Sequence, residues 1–64
     1  MTIGQAIKKA REGKGLTQKQ LAEKLYVDTS LVCRWENGQR SISQQQLTVI
    51  LDVLGLSIAD IKKM

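Results

Sequence analysis

Thr29, Ser30, Cys33 and Arg34 fall as two i, i+4 pairs, and on a helix such pairs share one face. Val32 and Trp35, at i and i+3, take the opposite, apolar face. The chemistry of the polar face is that of recognition rather than bond-making. The Arg34 guanidinium can donate a bidentate pair to O6 and N7 of a guanine, a contact worth about 1–3 kcal/mol of discrimination. The hydroxyls of Thr29 and Ser30 can reach a base edge or a phosphate, and the Thr29 methyl can touch that of a thymine. The plainer alternative for these two residues is ordinary first-turn polarity of a helix.

Composition removes most other chemistries. The 64 residues hold one cysteine and no histidine, which excludes a zinc site and an internal disulfide. No nucleophile or acid/base couple can be assembled without histidine, a clustered acid pair or a cysteine with a basic partner, so no enzyme, cofactor or metal is expected. Ten Lys and Arg against six Asp and Glu leave a net charge of +4, which suits a polyanionic partner. No apolar run approaches the roughly 20 residues of a membrane span, and the N-terminus lacks a signal-peptide core. The free thiol fits a reducing compartment, so the cytoplasm is the expected location. No small-molecule ligand is evident.

The reading face must be held by the stretch from Gln18 to Gly38, QKQLAEKLYVDTSLVCRWENG. It divides into two short helices and a corner. Leu21, Ala22 and Leu25 share a face of the first helix, and Ala22 is small where two backbones must cross closely. Tyr26-Val27 leaves room only for a tight turn, after which Asp28 can cap the next helix. This is a helix-turn-helix, over about 18–37, whose second helix can lie in the major groove.

Side-chain chemistry marks the remaining elements. Thr2-x-x-Gln5, Thr17-x-x-Gln20 and Ser43-x-x-Gln46 fit the capping box, and Asp28 and Ser57 supply simpler caps. Gly13 and Gly15, Gly38 and Gly55 supply stops. The expected fold is all-α, one compact five-helix domain over 1–64, with helices at about 3–12, 18–25, 29–37, 44–54 and 58–63. Ile3, Ile7 and Ala10 are expected inward from the first helix, and Leu47, Ile50, Leu51 and Leu54 from the fourth. Leu16 and Ile42 plug the core from loops, and Ile58 and Ile61 are offered by the fifth helix. Val49 and Val53, left over after the core is filled, can form with Ile61 and Met64 the two-fold seam of a homodimer.

The run LTQKQLAEKL…V…S.V.RWENGQR resembles the helix-turn-helix family of phage repressors and Cro proteins, the lambda-repressor-like or XRE type. AREGKGLTQ before it and LTVILDVLGLSIADI after it extend the resemblance over nearly the whole chain. What it implies is a bacterial or phage regulator of transcription, here expected to be a repressor, binding a palindromic operator in double-stranded DNA as a dimer. It implies base reading by Thr29, Ser30 and Arg34 with Cys33 at their edge, and phosphate contacts from Gln18, Asn37, Gly38 and Arg40. It implies also a partly buried ion pair between Arg11 and Glu36, with Arg11 presenting its guanidinium towards phosphate, or serving as scaffold alone. A lone cysteine is most often an inert small hydrophobe, and a redox role for Cys33 is the less favoured reading. Tyr26 departs from the family, where the corner position is commonly glycine with φ > 0. The alternative function is a protein-interaction module, such as an antitoxin that binds a partner protein and regulates its own operon.

Overall fold

In the computed structural model, residues 2–57 and 59 are described. Among the described residues four helices follow one another: α1 (Ile3–Gly13), α2 (Gln18–Leu25), α3 (Thr29–Glu36) and α4 (Gln44–Leu54). The fold is all-α. The fifth helix expected over about 58–63, with Ile58, Ile61 and Met64, lies outside the described residues, Ala59 apart.

The helix starts are set by local chemistry. At α1, α2 and α4 the hydroxyls of Thr2, Thr17 and Ser43 accept from the main-chain N–H of Gln5, Gln20 and Gln46 at 3.0–3.1 Å. Each glutamine side chain returns a bond, accepting from the N-cap N–H at 2.8–3.2 Å. These closed pairs satisfy donors that a helix start otherwise leaves to water. α3 differs. Asp28 occupies the N-cap in an extended conformation, but its side chain makes no capping bond, contrary to the cap expected of it. The N–H groups of Leu31 and Val32 go instead to its main-chain carbonyl oxygen, at 3.0 and 3.5 Å.

All four helices end in the same way. At each end one N–H returns to a carbonyl three residues back and the next to one five back: Gly15 to Glu12 and Leu16 to Arg11, Tyr26 to Glu23 and Val27 to Ala22, Gly38 to Trp35 and Gln39 to Arg34, Gly55 to Asp52 and Leu56 to Leu51. This closure requires a left-handed residue just past the helix, for which glycine is the unstrained choice. Three ends have glycine there, and α2 has Tyr26, at φ 59° and ψ 41°. A side chain in that region costs about 1–2 kcal/mol. Tyr26 is 95% exposed, so little packing offsets the strain.

The core is aliphatic around a single tryptophan: Ile7, Ala10, Leu21, Ala22, Val32, Trp35, Ile50 and Leu54 form one buried cluster. Leu16, Leu25, Ile42, Leu47 and Val53 are partly buried against it. Ile42, just before the Ser43 cap, and Leu47, four past it, stand in the positions of a hydrophobic staple. Two expectations are corrected here. Ile3 is 47% exposed rather than inward. The buried stripe of α1 is Gly4, Ala6, Ile7, Ala10 and Arg11, which puts Ile3 at its edge. Val53 is not left over for a seam alone, since part of it packs on its own core.

Gly4 explains the rotation of α1. A Cβ there would overlap the carbonyl oxygen of Trp35 and sit 3.1–3.2 Å from the Glu36 carbonyl oxygen and Cα. The helix therefore lies with its backbone directly on the last turn of α3. Below that contact, Trp35 is 3% exposed, and its Nε1 is the only buried side-chain polar atom among the described residues without a hydrogen-bond partner.

Candidate nucleic-acid interface

Behind α3 the polar groups are closed on one another. The Glu36 carboxylate is buried and accepts from Arg11 Nε at 2.7 Å, Arg11 Nη2 at 3.1 Å and Gln18 Nε2 at 3.0 Å. Arg11 Nη1 donates to the Leu16 carbonyl oxygen at 2.7 Å, while the Leu16 N–H donates to the Arg11 carbonyl oxygen at 3.1 Å. One carboxylate thus ties the end of α1, the start of α2 and the end of α3, and the loop before α2 is pinned in both directions. Hydrogen bonding to Glu36 holds the Arg11 guanidinium above its already high ordinary value. An arginine so raised keeps its charge, and its contribution to stability, at every pH below the value it has in the unfolded chain.

This geometry narrows one expectation. Arg11 is 7% exposed and three of its N–H groups are committed to Glu36 and Leu16. Its guanidinium is buried, which leaves its two uncommitted N–H groups little room for a direct phosphate contact. Gln18 is better placed for one. It is the first residue of α2, half-buried, and its amide nitrogen carries two N–H groups, of which one goes to Glu36.

In front, the side chains are open. Thr29, Ser30 and Arg34 are exposed, and the side chain of none has a hydrogen-bond or ion-pair partner among the described residues. Cys33, beside them, is half-buried, and its sulfur accepts from Asn37 Nδ2 at 3.3 Å. Asn37 follows α3 directly, and Gly38 and Arg40 continue from it, all exposed. The residues named from the sequence therefore sit together along α3 and its two approaches, with Arg11 set behind them. Two further residues bear on this arrangement. Gly4 carries no signal without knowledge of what α1 lies against. The residue type of Asp28 suits a cap, and only the three-dimensional arrangement leaves its carboxylate unengaged.

Of the residues expected in a dimer seam, Val49 is 48% exposed on α4 and Val53 is half-buried. Ile61 and Met64 lie outside the described residues.

Comparison with known proteins agrees with this architecture. A helix-turn-helix family model matches residues 7–61. The chain is 33% identical over 61 residues to the transcriptional activator BcrR of Enterococcus faecalis, covering 95% of this chain and 30% of that protein. It is 40% identical over 57 residues to multi-protein-binding factor 1 of Yarrowia lipolytica, covering 89% of this chain and 38% of that protein. The chain thus spans about a third of the length of the curated relatives it matches. Among solved structures it is similar to the restriction-modification controller protein C.Esp1396I, solved as a tetramer with its natural 35 base-pair operator. The TM-score is 0.84 at 31% identity, over 97% of this chain and 82% of that one. The chain belongs to the helix-turn-helix family of XRE type.

Proposed function

We propose that this domain binds an operator in duplex DNA as a homodimer, laying α3 in the major groove, and represses transcription where the operator overlaps a promoter. The observation that carries the reading is the division of α3. Val32, Trp35 and Glu36 are sealed in the domain, while Thr29, Ser30 and Arg34 stand exposed and unengaged on the same eight-residue helix. Exposed side chains of this kind read base edges. Gln18, with its second N–H, and Asn37, Gly38 and Arg40 flank them as phosphate contacts that fix register. Arg11 acts through position, by holding Glu36 and through it Gln18. Cys33 lies at the edge of the reading surface.

The operator complex of C.Esp1396I supports DNA as the partner. Val49, continued by Val53, Ile61 and Met64, is the proposed two-fold seam. Such a dimer presents two recognition helices about 34–36 Å apart and so favours a palindrome with half-sites one helical turn apart. Selection from a random duplex pool tests the whole reading. The expected result is a palindromic motif bound by two chains, with affinity that falls steeply with salt; a pool left unenriched overturns it. A second reading, a module that engages a partner protein, draws on the name of the Yarrowia relative. A protein partner retained at a salt concentration that strips DNA would favour it.

A further inference from the structure

Asp28 is an acidic group at the start of α3, where the proposed function brings a protein of net charge +4 against a polyanion. It is exposed, next to Thr29 and Ser30, and has neither a capping bond nor an ion-pair partner among the described residues. The three other N-caps are all engaged in closed pairs. A carboxylate beside phosphates is repelled unless it meets a donor. The positive end of α3 offsets part of that repulsion.

The major groove offers donors selectively. Guanine presents two acceptors, and thymine an acceptor and a methyl group. Adenine presents a donor beside an acceptor, and cytosine a donor alone, its N4 amino group. An ionised carboxylate can only accept. Recognition helices of this motif contact base edges with their N-terminal residues, and Asp28 is the residue from which α3 starts. We propose that Asp28 reads cytosine, accepting a hydrogen bond from its N4 amino group. It thereby gives α3 a preference that Thr29, Ser30 and Arg34 do not supply. The inference rests on α3 being the helix that enters the groove.

Parallel selections from a random duplex pool with the full chain, Asp28→Asn and Asp28→Ala test it, followed by titration of the selected site with each base at every position. The wild-type chain should favour cytosine at one position of each half-site by about 10-fold or more. Asp28→Asn should move that preference to adenine, whose N6 and N7 suit an amide, and leave the other positions unchanged. Asp28→Ala should level the four bases there. Unchanged profiles in both variants overturn the proposal. So does a uniform gain in affinity at every sequence, which would make the carboxylate a repulsive charge and nothing more. If Asp28→Ala loses its helical circular dichroism, Asp28→Asn, which keeps a favourable N-cap residue, decides alone. A wild-type chain that enriches no motif would instead remove the DNA reading itself.

Discussion

The two sides of α3 handle polar groups in opposite ways. On the inner side, Glu36 receives three N–H groups from two other helices, and Arg11 returns a bond to the loop between them. On the outer side, Asp28, Thr29, Ser30 and Arg34 make no side-chain bond to the protein. A buried carboxylate must be satisfied where it stands, because desolvation is costly. An exposed donor or acceptor left open is available to a partner. Under the proposed DNA reading, stability and recognition fall to different residues of α3 and its N-cap.

Substitutions can break that separation. Glu36→Ala leaves the Arg11 charge buried and unpaired and should cost about 3–5 kcal/mol. At roughly 4–8 °C per kcal/mol for a domain of this size, thermal melting should fall far enough to leave the chain largely unfolded at ordinary temperatures; an unchanged Tm would contradict the inner role. Gly4→Ala pushes a methyl group into the Trp35 carbonyl oxygen and should lose about 2–3 kcal/mol, as overpacked sites do. Chemical denaturation measures it, with a shift in midpoint at constant slope. On the outer side, Arg34→Ala should weaken binding to the selected operator by about 1–3 kcal/mol and relax one base position. Its melting curve should overlay that of the wild type, and a coupled fall in Tm would mean that the two sides are not separate. The smallest effect is a gain. Tyr26→Gly relieves the left-handed strain but frees the unfolded backbone, for a net stabilisation of about 0.5–1 kcal/mol. A lower Tm would show that the ring packs usefully despite its exposure.

How far the sequence disclosed this arrangement depended on the range of the interaction. Capping boxes join residues three apart, so Thr2, Thr17 and Ser43 could be placed before any packing was known. The helical step alone sets Thr29, Ser30 and Arg34 opposite Val32 and Trp35. Contacts between distant residues were another matter. The Arg11–Glu36 pair spans 25 positions and followed from family resemblance, not from spacing. The Gln18–Glu36 bond, the contact of Gly4 with α3 and the outward turn of Ile3 depend on how helices lie against one another. Asp28 shows the converse: its residue type suits a cap, and local chemistry alone could not say that the bond is not made.

Trp35 has a further consequence. It is the sole tryptophan of the chain, buried on the reverse of the helix that carries Thr29, Ser30 and Arg34. Its indole emission is a native spectroscopic label, free of overlap from any second tryptophan and buried behind the outer face. Unfolding brings that ring into water and should move its emission to longer wavelength. Engagement of the outer face by a rigid domain should leave the wavelength where it was. One unmodified fluorophore can thus tell a loss of structure from a loss of recognition.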